Sequence, residues 1–434
     1  LILLLRMNEG RSSWSASKWR EWFSEGETIP YFQPILSVEK DSIFGYEALG
    51  RFLDKSGQVH SLGPFFLSDI PHSLSLSERE EFIALKLEID RSIRKKAVEK
   101  ISKTQSIDPK AKLFLNISPS FMQDYLVSRS DEDPFTLQIV KNSGMDPKRI
   151  VIEMVEEHFA GEIEQLKPLI NLYKRSGFLV AIDDLGSKSS NLDRIGALHP
   201  DIIKVDLGLI RSSVASRNFQ EILFTLSRLA ESLGCSLLFE GIETETELYN
   251  ALTYGARFLQ GFYFAEPSPD LMDINGLSIR FSQLHELFFN YKKYQLLRRI
   301  KKERELEDRL ESSGIEVLSN GEEKVTITLR NSYLLEKSVF RMYVTNNEGR
   351  QLSPNYSAIS ESGMLEDDSF VGRNWSWRPY FLEQFYKNAK DTSGNWFASN
   401  PYYDLESNLL LVTYSKRLQE GNVIFVDVRM WDFP

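Results

Sequence analysis

Between Ile29 and Ser268, short apolar runs alternate with longer amphipathic stretches, the hydropathy signature of strands and helices taken in turn. The pattern predicts strands at Tyr31–Leu36, Ile43–Phe52, Lys112–Ile117, Arg149–Val155, Phe178–Ile182, Ile202–Val205 and Ser236–Phe239, with a short one near Phe258. Such a succession predicts an α/β fold, and a closed (β/α)8 barrel of TIM type fits it better than an open sheet. From Leu284 to Leu310 no proline or glycine interrupts the chain, and Leu284, Leu287, Phe288, Tyr291 and Tyr294 recur at helical spacing. One long helix is expected there, packed through that stripe in its first half. Tyr291 to Leu310 holds eight basic and four acidic side chains, which reads as a solvated, ion-paired connector. Beyond Gly314, apolar runs at Val325–Leu329, Phe340–Val344, Leu409–Tyr414 and Val423–Val428, broken by turn signals such as Asn346 to Gly349, predict a small mixed α/β domain. The expected organisation is an N-terminal segment 1–27, a barrel 28–270, a connecting helix 271–315 and a C-terminal domain 316–434.

Composition narrows the function classes. A chain of 434 residues allows two or three domains, and 42% hydrophobic with 26% charged residues is ordinary globular usage. With 62 acidic against 52 basic side chains the net charge is -10, which argues against a chain-wide grip on a nucleic-acid polymer. The single cysteine, Cys235, cannot form an internal disulfide and suits a reducing, cytoplasmic setting. The apolar opening Leu1–Leu5 is too short for a membrane span or a signal peptide, and Met7 is the expected start.

In a βα barrel, functional groups sit where strands give way to loops. Here those positions are mostly carboxylates. Alternation along Ile43–Phe52 puts Glu47 and Arg51 on one face. Asn116 ends the next strand, Glu153 lies within the following one, and Asp183 and Asp184 follow Phe178–Ile182. Lys204 and Asp206 close Ile202–Val205, and Glu240 follows Ser236–Phe239. One acid at a strand end is commonly a helix cap. Glu47, Asn116, Glu153, Asp183 and Asp184 converging at one mouth would instead demand neutralisation, and hard divalent cations are the natural partners of oxygen ligands. The five histidines are scattered without metal spacing, so Mg²⁺ or Mn²⁺ is favoured over zinc. A carboxylate-held metal pair suits phosphodiester hydrolysis.

The segments that carry these residues resemble the EAL family of cyclic di-GMP phosphodiesterases. The matching text is Tyr31-Phe-Gln-Pro-Ile35, Gly45-Tyr-Glu-Ala-Leu-Gly-Arg51, Leu115-Asn-Ile-Ser118, Ile152-Glu-Met-Val-Glu156, Ala181-Ile-Asp-Asp-Leu-Gly186, Ile203-Lys-Val-Asp206, Phe239-Glu-Gly-Ile-Glu243 and Gln260-Gly-Phe-Tyr-Phe264. Ser61-Leu-Gly-Pro-Phe-Phe66, Ser190-Asn-Leu-Asp-Arg-Ile195 and Asn374-Trp-Ser-Trp-Arg-Pro-Tyr-Phe-Leu-Glu383 extend the likeness to the YkuI type, an EAL barrel followed by a long helix and a PAS-like domain.

The resemblance implies Glu47, Asn116, Glu153, Asp183 and Asp184 as ligands of two Mg²⁺ or Mn²⁺ ions, with Ca²⁺ inhibitory. It implies that Lys204 and Glu240 orient and deprotonate the attacking water, with Asp206 and Gln260 supporting the site. Arg51 would hold a substrate phosphate as a guanidinium fork and Gln33 would help hold the nucleotide, while Glu156 matches a loop-anchoring glutamate. Conversion of cyclic di-GMP to linear pGpG and a homodimer are the implied activity and assembly.

The loop after the aspartate pair departs from the family. Asp183-Asp-Leu-Gly-Ser-Lys-Ser-Ser-Asn191 stands where brisk family members read Asp-Asp-Phe-Gly-Thr-Gly-Tyr-Ser-Ser, so Lys188 replaces a glycine and Leu185 an aromatic. The change keeps open a second reading, a catalytically weak or inactive cyclic di-GMP receptor that signals through its C-terminal domain. That domain is also similar to Cache-type PAS-like sensors, which implies a small-ligand or partner site at Trp377, Arg378, Tyr380, Tyr403 and Asp427. The structural alternative there is an aromatic core with an Arg378–Asp427 ion pair.

Overall fold

The computed structural model describes residues 14–66, 75–104, 107–117, 133–154, 163–185, 192–272, 278–319, 325–336, 338–360, 363–390, 394–418 and 421–430. The chain divides into two compact units, Leu1–Asn290 and Tyr291–Pro434, with the division inside the helix Ser278–Ser312.

The strands of the first unit are β1 (Gly26–Ser37), β2 (Ser42–Asp54), β3 (Val59–Ser61), β4 (Lys112–Ile117), β5 (Ile150–Met154), β6 (Leu179–Leu185), β7 (Ile202–Val205), β8 (Ser236–Phe239) and β9 (Phe258–Leu259). Their order is β1-β9-β8-β7-β6-β5-β4-β2, and pairing of β1 with β2 closes a barrel of eight strands, with β3 added along β2. β2 and β4 to β9 run parallel, whereas β1 is antiparallel to both β2 and β9. The expected purely parallel barrel is therefore corrected to a mixed one. The cause is local: only residues 38–41 separate β1 from β2. A link so short makes a hairpin, because a parallel crossover needs about a dozen residues or more.

Inside the barrel, Ile35, Phe114, Val151, Ala181, Ile202, Leu238 and Phe258 form one apolar ring. Their strand neighbours, among them Leu113, Leu115, Ile152, Val180, Ile203 and Phe239, face outward into a core shared with the surrounding helices through Leu169, Ile170, Leu223 and Leu248. Burial on both faces is why these strands read as unbroken apolar runs. The helix Leu76–Lys103 starts in a capping box of Ser75 with Glu78. Its first half supplies Phe82, Leu85, Ile89 and Ile93 to a satellite aromatic core with Trp19, Phe52 and Phe65. Its second half supplies Ala97, Val98 and Ile101 to the barrel.

The second unit opens with the hairpin β10 (Ile315–Ser319) and β11 (Val325–Leu329). β12 (Val339–Thr345), β13 (Asn355–Ser360), β14 (Gly363–Asp367), β15 (Phe397–Ala398), β16 (Tyr402–Tyr403), β17 (Leu410–Arg417) and β18 (Val423–Arg429) form an antiparallel sheet ordered β14-β13-β12-β18-β17-β15, with β16 also paired to β17. One face packs Met342, Val344, Tyr414, Ile424 and Val426 against Leu310, Ile327 and Leu335. The other packs Tyr343, Val423 and Phe425 against Trp375 and Phe381, the latter from the helix Pro379–Lys390. The expected turn is present, with Gly349 N–H donating to Asn346 O and a positive φ at Gly349.

The connector helix is longer at both ends than the hydropathy pattern indicates, and one expectation about it fails. Tyr291 and Tyr294 are 45% and 66% exposed, so neither is buried under a neighbouring core. Phe288 stacks on Tyr249, and Leu306 and Leu310 join the C-terminal core, so the middle of the helix is left to solvent.

Candidate active site

A step of two residues along each strand turns the apolar ring of the barrel into a polar one. Phe114 leads to Asn116, Val151 to Glu153, Ala181 to Asp183, Ile202 to Lys204, Leu238 to Glu240 and Phe258 to Gln260. Side chains two apart share a face, so all six continue the barrel interior toward its carboxyl-terminal mouth. β1 runs the other way, and there the step goes backward from Ile35 to Gln33. Ile35 pairs with Gly45 and Gln33 with Glu47, which places Glu47 in the same layer. After Gln260 the chain needs glycine: a Cβ at Gly261 would lie 2.1 Å from Ile242 O.

Lys204 is the hub of this layer. Its Nζ lies 3.0 Å from Asp183 Oδ1, 3.0 Å from Glu240 Oε2, 3.1 Å from Glu153 Oε1 and 3.8 Å from Glu47 Oε2. Side-chain exposure rises from 0% at Glu153 and 1% at Lys204 to 13% at Asp183 and 18% at Glu240, so the cluster opens on the Asp183–Glu240 side. A chain of amides fixes the opposite side. Gln33 Nε2 donates to Ala265 O (3.2 Å), Gln260 Nε2 donates to Gln33 Oε1 (3.0 Å) and Glu47 Oε2 (2.7 Å), and Asn116 Nδ2 donates to Glu47 Oε1 (2.9 Å).

Four carboxylates around one ammonium leave an excess of negative charge in a buried place. Burial works against the Lys204 ammonium, yet Asp183, Glu153, Glu240 and Glu47 together hold its pKa well above the ordinary lysine value. Burial, reinforced by the charge of Glu47, pushes Glu153 well above the usual carboxylate range. Burial also acts to raise Glu47, but Lys204 and hydrogen bonds from Gln260 and Asn116 bring it below its ordinary value. The same cluster thus drives the two carboxyls in opposite directions, Glu153 upward and Glu47 downward.

Other expected residues fall in different places. Arg51 is half-buried on the same face of β2 as Glu47, its Nη1 donating to Gly50 O (2.9 Å) and its guanidinium 5.8 Å from the Tyr31 ring centre. Asp206 caps the helix Leu207–Ala215, accepting from Gly208 N–H (2.6 Å), and among the described residues it is not one of the carboxylates within 4.0 Å of Lys204. Glu156, the Asp184 side chain and the loop after Leu185 lie outside the described residues, as does the Tyr380 side chain. In the C-terminal unit, Trp377 is exposed and Arg378 is buried against Trp375, its guanidinium 5.0 Å from that ring centre. Tyr403 is half-buried in β16.

Asp427 is not the partner of Arg378, which corrects the expected pair. Arg341 Nε donates to Asp427 Oδ2 (2.5 Å), because β12 and β18 set Arg341 directly opposite Asp427. Arg341 Nη2 donates to Asp404 Oδ1 (2.7 Å). The sequence reading missed Arg341 as a hub. Its signal was a lone arginine in the otherwise apolar run Val339–Val344, a position that burial demands be paired.

The residues of the barrel mouth fit a hard divalent cation. Every side chain except Lys204 offers oxygen, and Glu153 Oε1 and Oε2 and Gln260 Oε1 are buried without a well-directed hydrogen bond. Among the described residues no three acids, histidines or cysteines are already gathered at metal-ligand spacing, because the carboxylates are drawn around the Lys204 ammonium.

The sequence profile of the EAL domain matches residues 16–267, and that of an EAL-domain associated signalling protein domain matches residues 273–433. The chain is 31% identical over 408 residues to the uncharacterized EAL-domain containing protein YkuI of Bacillus subtilis (strain 168), covering 93% of this chain and 94% of that protein. It is 26% identical over 255 residues to the probable cyclic di-GMP phosphodiesterase PdeG of Escherichia coli (strain K12), covering 57% of this chain and 46% of PdeG. The crystal structure of Bacillus subtilis YkuI in complex with substrate c-di-GMP and calcium matches with a TM-score of 0.78 and 27% identity, over 96% of this chain and 100% of that one.

Proposed function

Because the chain belongs to the EAL-domain family, in its YkuI type, we propose that it is a phosphodiesterase that opens cyclic di-GMP to linear pGpG with the help of divalent metal. The observation that carries this reading is the convergence of Glu47, Glu153, Asp183 and Glu240 on Lys204 at the barrel mouth. Glu47, Asn116, Glu153, Asp183 and Asp184 would hold two Mg²⁺ or Mn²⁺ ions. Bound there, the ions would lower the pKa of water and draw negative charge from the phosphate. Glu240, 3.0 Å from the Lys204 ammonium on the open side, takes the proton of the attacking water, and Lys204 helps orient that water and Glu240. Arg51 holds a phosphate oxygen, Gln33 the nucleotide, and Gln260 fixes both Gln33 and Glu47 by hydrogen bonds.

The C-terminal unit is the proposed PAS-like sensor, tuning the rate through the connector helix in response to a small ligand or a protein partner. The reading also includes a homodimer and a cytoplasmic place. No helix among the described residues is long and apolar enough to cross a membrane. The changed loop Leu185–Asn191 supports the second reading, a receptor with little or no turnover.

Product analysis with cyclic di-GMP and Mg²⁺ or Mn²⁺ separates the two. The enzyme accumulates pGpG, Glu240→Ala lowers kcat by about 10²–10⁴-fold, as loss of a general base does, and Ca²⁺ inhibits. Tight binding without product makes the chain a receptor instead.

A further inference from the structure

The middle of the helix Ser278–Ser312 presents a surface that neither the barrel chemistry nor the C-terminal core uses. Within Tyr291–Lys302, a stretch wholly inside the second compact unit, Tyr291 is 45% exposed, Tyr294 66%, Leu296 56%, Leu297 56% and Ile300 36%. A merely solvated, ion-paired face would not keep three aliphatic side chains in water one beside another, with a tyrosine at their edge. At about 100° per residue, Leu296, Ile300 and Leu297 share an arc of about 100°, with Lys293 within it and Tyr294 beyond one edge. The same segment carries Lys292, Lys293, Arg298, Arg299, Lys301 and Lys302 and no acid, in a chain of net charge -10. Arg299 and Lys301 have acidic partners one turn on, Glu303 at 2.8 Å and Glu305 at 3.8 Å.

We propose that this helix face rests on an anionic lipid bilayer. Leu296, Leu297 and Ile300 enter the headgroup boundary, Tyr294 lies at its level, and Lys293, with Lys301 about 40° beyond Leu297, extends along the apolar surface to reach lipid phosphates. The helix lies on the bilayer rather than crossing it. A second copy of the chain suits the stripe less well, because parallel pairing would set the basic residues of one helix against those of the other. The inference stands apart from the phosphodiesterase reading.

The test is co-sedimentation of the full chain with phosphatidylcholine vesicles, with and without phosphatidylglycerol, at low and high salt. Binding is expected only to the anionic vesicles and is expected to weaken as salt screens the basic residues. Lys293→Glu with Lys301→Glu, and separately Leu296→Glu with Ile300→Glu, should each weaken it by about tenfold or more, with unfolding curves and cyclic di-GMP binding unchanged. Absent binding at low salt, equal binding to neutral vesicles, or binding indifferent to both pairs of substitutions overturns the proposal. So does a lipid-free dimer that Leu296→Glu with Ile300→Glu dissociates in sedimentation velocity, which would make the face a contact between copies.

Discussion

Lys204 in the barrel and Arg341 in the C-terminal sheet are both buried cations among carboxylates, yet their surroundings differ in one respect. Around Arg341 every acceptor is used. Asp427 Oδ2 takes Arg341 Nε, while Asp427 Oδ1 takes the hydroxyls of Thr413 (2.6 Å) and Tyr402 (3.3 Å). Asp404 Oδ1 takes Arg341 Nη2, while Asp404 Oδ2 takes the N–H (3.0 Å) and hydroxyl (2.8 Å) of Ser407. Around Lys204 four carboxylates share one ammonium, and Glu153 and Gln260 keep buried oxygens without a directed donor. A saturated network holds a fold together, whereas an unsaturated one has acceptors to offer a ligand.

Methionine in place of either cation tests that distinction most strongly. Arg341→Met leaves Asp427 and Asp404 buried without their cation and should cost about 3–5 kcal/mol, read as loss of the C-terminal transition in urea unfolding. Lys204→Met leaves an uncompensated carboxylate ring and should cost about as much to the barrel. Added Mg²⁺ or Mn²⁺ should restore much of the loss in Lys204→Met and none in Arg341→Met. Equal rescue of both, or of neither, would erase the difference between the clusters.

Next in size is Gln260→Leu, which removes the amide joining Glu47 to Gln33. Metal affinity in titration calorimetry should fall by about 10–100-fold, the usual loss when a ligand-orienting partner is removed, with the unfolding midpoint little changed. A smaller effect follows from acid. Burial acts to raise Asp404, but Arg341 and Ser407 hold it below its ordinary value. A carboxyl depressed in the folded state contributes stability above its unfolded pKa of about 3.9, lost as pH falls through the folded value. Thermal unfolding of the C-terminal unit should be flat with pH above about 5 and decline below about 4, and Asp404→Asn should flatten the decline.

How far these clusters could be read in the sequence differed for a physical reason. The barrel layer was legible because strand alternation and chain order put Glu47, Asn116, Glu153, Asp183, Lys204 and Glu240 at strand ends, where one rule covers them all. Strands Lys112–Ile117, Ile202–Val205 and Ser236–Phe239 have the ends that hydropathy indicates. The direction of β1 was not drawn from the pattern, although the short spacing before Ile43 encodes the hairpin. The Arg341 network was not legible, since Arg341, Asp404, Thr413 and Asp427 come from four separate stretches that only antiparallel register brings together. Asp206 shows the converse, an acid at a strand end that serves as a helix cap.

The smallest expected effect concerns the aromatic edge of the C-terminal unit, where the sequence placed a ligand pocket. The Arg378 guanidinium lies 5.0 Å from the Trp375 ring centre and 5.3 Å from that of Trp377. Trp375 is buried with Tyr343 and Phe381, while Trp377 is 64% exposed, so the inner ring supplies packing and the outer ring mainly its π-face. Trp377→Ala should then cost only about 0.5–1 kcal/mol, the worth of an exposed cation–π contact, and lower the melting temperature by about 2–4 °C. Arg341→Lys, a nominally milder change, should cost more, because one ammonium cannot reproduce the guanidinium fork that reaches Asp427 and Asp404 at once. If Trp377→Ala proves the costlier of the two in urea unfolding, the stability of the C-terminal unit rests on its aromatic edge and not on the Arg341 network.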